Sequence, residues 1–356
     1  MEKLSLAVVG AGWRGLFFVR IALALPHLFH FCGVIERDKI LRDSVHNEFG
    51  VPIFADADQL LKTEKPDFVV LAVSYSNMAE VAEEWADLGI PLLMETPPAP
   101  SIERLNSLYL KLRSHKVQVA EQYQFQPMHS ARLKLIEMGL LGDVYSARVG
   151  FNNKYHSISI LRLALKVGFR LPSVYATRYS HQMTEGPGRG GDPVADRLVK
   201  ADQLLFNLDY GDCQGISDTE DNQHRSWIRF LQIVIRGTKG EICNDEILYL
   251  RDYLTPCHLK LDPVRTGTGG NMEGMYLRGI RAGNDWVYKN PFGEARLYDD
   301  EIAVAECMYR MKDYLLNDVS FYSLADACHD QYLSILCEES IKLDKKVQAE
   351  PQQWCL

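Results

Sequence analysis

The chain has 356 residues, which is too long for one ordinary domain and comfortable for two. Its 47% hydrophobic and 24% charged content is that of a globular protein, and a net charge of −8 argues against nucleic acid or an anionic membrane surface as partner. No cleavage-site pattern follows Met1, the apolar region 16–34 is broken by Arg20, Pro26 and two histidines, and the eight cysteines form no C-x-x-C pair. The expectation is a cytoplasmic protein with free thiols, no metal and no membrane span.

The first 120 residues alternate strand-like and helix-like runs. Leu4 to Val9 (LSLAVV), His30 to Ile35, Asp67 to Val73, Pro91 to Met94 and Val117 to Ala120 are short apolar strands. Between them, 16–25, 77–89 and the stretch from Ser101 carry apolar residues at helical spacing, with Ser101 as a helix cap. Buried strands separated by helices predict a parallel sheet covered on both faces. After about residue 121 the texture changes. Helices fit 129–139, 156–167, 301–316 and 323–342. Alternating strands fit 144–151, 172–182, 202–210, 225–236, 240–250 and 285–289. Gly/Pro-rich loops lie at 184–193 and 265–271. The reading is an α/β Rossmann domain over 1–120 and an α+β domain over 121–356, built on a large, open, mainly antiparallel sheet. The closing helix 323–342 is expected to pack back towards the first domain.

The run Gly10-Ala-Gly-Trp-Arg-Gly15 fits G-x-G-x-x-G directly after an apolar strand and at the opening of a helix. Gly10 permits the tight turn, Gly12 lets backbone approach a pyrophosphate, and Gly15 lets helix and strand pack closely. The helix N-terminus, with Trp13 and Arg14, then offers N–H groups and a favourable dipole to phosphate. Glu36 ends the second strand, 36 − 10 = 26 positions beyond Gly10, where an acid binds a ribose hydroxyl and favours NAD. Arg37 beside it leaves NADP open.

The order GAGWRG, acid after strand two, DFVVLAV, GIPLLMETP, QYQFQP and IEMGLLGDVYSARVGF resembles the glucose–fructose oxidoreductase / inositol dehydrogenase (Gfo/Idh/MocA) family. Segments 225–243 and 323–347 resemble its sheet and closing helix. The resemblance implies a nicotinamide-dependent oxidoreductase acting on a carbinol of a sugar, polyol, cyclitol or glycoside. It also implies a homo-oligomer, dimer or tetramer, assembled through the second sheet. Ser74 and Tyr75 would border the cofactor, as would Glu95 and Pro97.

The family's Glu-Lys-Pro signature reads Glu95-Thr96-Pro97 here. Thr96 can hold a hydroxyl in line but is no base near neutral pH. The D-x-G-x-H-x-x-D signature survives only at His156, with Asn152, Lys154 and Ser159 at its other positions. His156, with Tyr155, is therefore the candidate proton carrier. Lys154 is a candidate to replace the lost lysine, and Tyr179 and His181, on one face of a strand, are candidate substrate contacts. Two rival readings follow from Thr96: an NAD-dependent glycoside-cleaving enzyme with no net redox, and a non-catalytic NAD(P)-binding sensor.

Overall fold

The computed structural model of the chain describes residues 3–151, 153–188, 190–267 and 274–355, with residue 294 described by its backbone alone. Asn152 and residues 268–271 of the second glycine-rich loop lie outside the described residues, as does residue 189 of the first.

In chain order the first part contains β1 (Leu4–Val9), α1 (Trp13–Ala24), β2 (Phe29–Ile35), α2 (Lys39–Phe49), β3 (Ile53–Phe54), α3 (Ala57–Thr63), β4 (Phe68–Leu71), α4 (Met78–Asp87), β5 (Leu92–Met94), α5 (Ile102–Leu112) and β6 (Val117–Val119). The strands pair in parallel in the order β3-β2-β1-β4-β5-β6. Their sequences are apolar on both faces because helices cover both, and Leu6, Val8, Val69, Leu71, Leu92 and Leu93 are wholly buried. The order reverses between β1 and β4, so a crevice opens at the carboxyl ends of these strands, where ligands bind in such sheets.

A 3-10 turn (Tyr123–Phe125) and α6 (Pro127–Glu137) lead into a second sheet. Its strands are β7 (Val144–Gly150), β8 (Ser173–Thr184), β9 (Leu198–Asp209), β10 (Gln214–Glu220), β11 (Gln232–Gly237), β12 (Gly240–Cys243), β13 (Glu246–Asp252), β14 (Thr255–Thr266), β15 (Tyr276–Ala282), β16 (Asp285–Lys289) and β17 (Val347–Gln348), with α7 (Lys154–Leu165) between β7 and β8. They run in the order β16-β15-β14-β13-β12-β11-β7-β10-β9-β8-β17, antiparallel throughout except at β7–β10. Helices α8 (Asp299–Asn317) and α9 (Leu324–Leu343) follow β16. Helix α7 packs on β7 and β10, α9 packs on β8, α7 and α5, and α8 packs on α1. One face of the second sheet is thereby buried. Val174 and Ala176 of β8 point into it, and Ser340 Oγ of α9 accepts from the Ala176 N–H at 3.0 Å. The other face is open.

Several elements depart from expectation. The charged stretch after Glu36 is the helix α2, because Asp38 caps it through two backbone N–H bonds and Gly50 closes it in the left-handed conformation. The segment 225–236 is strand only from Gln232. Before that, Trp227, Ile228 and Phe230 stand exposed, and Gln223 folds the chain back by donating to the Gly150 and Phe230 carbonyls. The stretch 240–250 is two strands, since Asn244 at φ 55° makes a tight hairpin turn with Asp245. Strands β10, β14 and β15 were not expected, because their apolar residues are sparse on the open face. The eight cysteines are free thiols. No helix among the described residues is long and apolar enough to cross a membrane.

One buried histidine gives the fold a pH dependence. His329 of α9 is fully buried, and its Nδ1 accepts from Trp354 Nε1 at 3.2 Å, which fixes the neutral form. Burial, with Arg162 nearby, pushes its pKa down to about 3. Such a histidine takes a proton only on unfolding, so its contribution is complete above its unfolded pKa of about 6.5 and is lost as pH falls towards about 3. Moving from pH 7.5 to 5 should remove about 2 kcal/mol through this group. Unfolding free energies from urea titrations at the two pH values should differ less in His329→Gln by that amount. An unchanged difference would show that the imidazole is already charged in the native state.

Candidate functional site

The glycine loop sits between β1 and α1. Gly10 has φ +101°, and a Cβ there would lie 2.6 Å from the Ala72 carbonyl oxygen, so the position requires glycine. A Cβ at Gly15 would fall 2.0 Å from the Gly10 carbonyl oxygen. Gly15→Ala must push α1 off β1, at a cost of about 1–3 kcal/mol. A nicotinamide cofactor titrated by fluorescence should bind this variant at least about tenfold more weakly, as P-O contacts at the helix start lose their alignment. Full affinity would mean that the loop is not the phosphate cradle.

A cavity of about 700 Å³ lies over this loop, lined by Gly10, Gly12, Glu36, Ser74 and Asn77 among others. The residues fit a dinucleotide. Helix α1 has Gly12 as its N-cap and no side-chain cap, so the positive end of its dipole faces the loop, and a Cβ on Gly12 would project into open space. Glu36 closes the far side. One of its oxygens accepts from the Ala11 N–H at 2.9 Å, the other from the Asp38 N–H at 3.0 Å. Arg37 leans instead to Glu84 at 3.3 Å.

At the other end of the crevice the METPP loop leaves β5. Arg14 Nε donates to the buried Glu95 carboxylate at 2.5 Å, and the second Glu95 oxygen accepts from the Thr96 N–H at 3.0 Å. Burial works against the Arg14 charge, but the Glu95 and Asp300 carboxylates outweigh it and hold its pKa above the ordinary value. The Thr96-Pro97 peptide is cis. Arg14 also faces Asp300 of α8 at 3.8 Å, and Asp300 accepts from the amide of Gln126 at 3.3 Å. Gln126 closes the turn that carries Tyr123, whose ring stacks on His156 with centroids 4.4 Å apart. Trp13 packs against Phe17. Tyr75 accepts from Gln331 Nε2 at 2.7 Å and donates to the Ala99 carbonyl, which ties the loop after β4 to α9.

His156 lies in the first turn of α7, which Asn153 caps by accepting from the His156 N–H at 3.3 Å. Its Nδ1 is 2.6 Å from Glu121 Oε2, and Ser159 Oγ donates to the other Glu121 oxygen at 2.8 Å. Glu121 is wholly buried, and His156 Nε2 has no hydrogen bond among the described residues. A buried carboxylate on Nδ1 orients the ring, fixes its tautomer and stabilises an imidazolium. Glu121 and Tyr123 were both missed in the sequence. The only signal was the position of Glu121, two residues past the end of β6.

The remaining candidates lie elsewhere. The phenol of Tyr155 is buried without a hydrogen-bond partner, burial pushes its pKa well up, and its ring meets His156 edge-on at 5.5 Å. It is placed to brace the imidazole rather than to titrate. Lys154 forms an ion pair with Glu338 of α9, whose two oxygens also accept from one terminal nitrogen of Arg178, at 2.7 and 2.8 Å. Lys154 is thus committed to α9. Tyr179 and His181 alternate with Arg178, so they stand on the open face of the second sheet, opposite α7 and His156. His181 is bonded there to Glu220 at 2.6 Å. Within one chain, these two residues do not join His156.

A doubly wound sheet with a glycine loop at its switch point, joined to a large open antiparallel sheet, defines a nucleotide-binding Rossmann protein with a second, sheet-built half. Residues 4–123, a third of the chain, match the model of the Gfo/Idh/MocA oxidoreductase family, described as an NAD-binding Rossmann fold. It is 26% identical over 151 residues to inositol 2-dehydrogenase of Corynebacterium glutamicum. That alignment covers 41% of this chain and 45% of the relative, so the chain matches less than half of the length of that enzyme. Solved structures share the fold over nearly the whole chain. Levoglucosan dehydrogenase in complex with NADH and levoglucosan superposes with a TM-score of 0.71 at 17% identity, covering 98% of this chain and 100% of that one. An oxidoreductase from Agrobacterium radiobacter in complex with NAD+, L-tartaric acid and magnesium gives 0.68 at 16% identity, covering 97% and 98%.

Proposed function

We propose that the chain is an NAD-dependent oxidoreductase acting on a carbinol of a sugar, polyol, cyclitol or glycoside. In this reading residues 1–120 hold the nucleotide and residues 121–356 the substrate. The observation that carries it is the imidazole of His156, oriented by a buried carboxylate and linked through Tyr123, Gln126, Asp300, Arg14 and Glu95 to the loop at the end of β5. The inositol and levoglucosan dehydrogenases among its relatives point the same way.

Bound NAD supplies the hydride acceptor. The chain's residues handle the proton and the geometry. His156 Nε2 takes the hydroxyl proton as the C–H bond breaks, and Glu121 stabilises the imidazolium that results. Thr96 holds the substrate hydroxyl by a hydrogen bond. Glu95 and Arg14 keep that loop in place. Glu36 selects NAD over NADP by meeting the ribose, because a carboxylate repels a phosphate there. The open face of the second sheet, with Trp227 and Phe230 exposed beside it, is the surface on which a homo-oligomer would form.

The test is turnover with NAD and a panel of sugars, polyols and glycosides, followed by reduced-nicotinamide absorbance and by aglycone release. Net reduction is expected, and His156→Ala should lower kcat by about 10²–10⁴ with NAD affinity unchanged. The replacement of the family's lysine by Thr96 is the ground for two rivals. Aglycone release without net reduction would make the protein a glycoside-cleaving enzyme. NAD binding with no turnover on any substrate would make it a sensor.

A further inference from the structure

A second cavity, of about 680 Å³, starts at Trp13 and Tyr123 and runs between α6, the turn after β12 and the start of α8. Its wall is rich in charge. Two of its three acids are paired, and the third, Asp299, is pushed by burial towards its neutral form. Asp245 pairs with Lys260 at 3.2 Å, and Asp300 faces Arg14 at 3.8 Å. Asp299 is desolvated, which raises its pKa, and Arg265 acts on it in the opposite sense.

The cations are not answered. Arg132 of α6 is only 9% exposed. Its Nε donates to the Asn244 carbonyl at 2.8 Å, and one terminal nitrogen meets His129 Nδ1 at 3.2 Å. The other terminal nitrogen has no hydrogen bond, and no carboxylate lies within 4 Å of the guanidinium, among the described residues. Burial pushes its pKa down to about 10, with Asp245 the opposing influence. The neighbouring His129 is buried and held neutral by burial and by Arg132, so it offers no negative charge. Arg225, on the same wall, contacts the His224 ring and likewise has no carboxylate partner among the described residues.

A buried guanidinium without a counter-charge is costly unless an anion completes it. We propose that this cavity receives an anionic substituent of a sugar-like ligand, a carboxylate or a phosphate ester, on Arg132 and Arg225. The inference deepens the oxidoreductase reading by naming the class of substrate. It rests on that reading for the word substrate, but not for the binding.

Calorimetry on the NAD-loaded protein separates the two. D-glucuronate or D-glucose 6-phosphate should bind at least about tenfold more tightly than D-glucose, the worth of one charge-assisted hydrogen-bonded pair. Preference for the first over the second identifies a carboxylate, and the reverse a phosphate. Arg132→Met should abolish the preference. Since Arg132 also bonds the Asn244 carbonyl, Arg225→Gln on the more accessible wall provides a second variant, which should weaken the anionic ligand several-fold and leave D-glucose unchanged. Equal binding of all three ligands to the unaltered protein would overturn the proposal. So would full retention of the preference in both variants. Because no turnover is read, absence of redox activity would defeat the oxidoreductase reading and leave this one standing.

Discussion

Glu121→Gln is expected to lower kcat by about 10²–10⁴ while leaving the fold as stable as before. In the present chain one Glu121 oxygen meets His156 Nδ1 and the other accepts from Ser159 Oγ. Both neighbours need acceptors. An amide offers one oxygen and one NH2, so one of the two must face a donor. If the NH2 faces His156, Nδ1 becomes the acceptor, the ring proton moves to Nε2, and the nitrogen proposed to take the substrate proton is blocked. A wrong tautomer of this kind costs about 10⁴ where an aspartate orients a catalytic histidine in a serine protease. If the NH2 faces Ser159, the tautomer survives but the imidazolium loses its charged partner, which gives the lower end of the range. Stability behaves differently, because a wholly buried carboxylate carries a desolvation cost that the amide does not. The measurement is kcat against pH, alongside the urea midpoint. Loss of rate with an unchanged midpoint and a moved acidic limb supports the assignment. Unchanged kcat removes Glu121 and, with it, the proton role of His156.

The two halves of the chain differ in how much their sequences disclose. In the parallel sheet the central strands are buried on both faces, so LSLAVV and DFVVLAV are unbroken apolar runs, and the glycine loop must follow one of them. Local residues there determine local geometry. In the second sheet one face is open, and strands such as β14 carry lysine, histidine and arginine among few buried side chains, so pattern alone does not mark them. The site is harder still. Glu121 looks like a loop acid until α7 folds back to bring His156 against it, 35 residues later. Lys154, beside His156 in sequence, is drawn off by Glu338, which is 184 residues away. Tyr179 and His181 were rightly assigned to one face of a strand. Which face meets the cofactor half is fixed by the packing of α7 and α9, a tertiary fact that alternation cannot contain. The same holds for Arg132, whose interest lies in a missing partner.

Asp330→Ala is expected to destabilise the protein by about 3–5 kcal/mol, the largest single loss predicted for this chain. Asp330 of α9 is wholly buried, and its Oδ1 accepts from Arg162 of α7 at 2.5 Å. The Tyr322 hydroxyl donates to its other oxygen. Arg162 is 5% exposed and uses its remaining nitrogens on the Gly168 carbonyl at 3.0 and 2.8 Å. Burial works against the Arg162 charge, but Asp330 outweighs it and keeps the pKa above the ordinary value. Removing the carboxylate therefore leaves a guanidinium in the interior with a carbonyl and, at 3.4 Å, the partly exposed Asp326. The attraction between the partners does not set the size of the loss. The uncompensated charge does, and that yields a sharper expectation for the pair. Arg162→Met combined with Asp330→Leu removes both charges and fills the space, and replacing a buried ion pair in this way is often neutral. The double variant should recover most of the stability that Asp330→Ala loses, within about 1–2 kcal/mol of the starting protein. Chemical denaturation of the two variants and the unaltered chain measures both numbers. A loss below about 1 kcal/mol in Asp330→Ala would mean that water reaches Arg162 and the interior between α7 and α9 is not closed. A double variant as unstable as the single one would mean that the pair holds the two helices in register by its geometry, with desolvation the lesser cost.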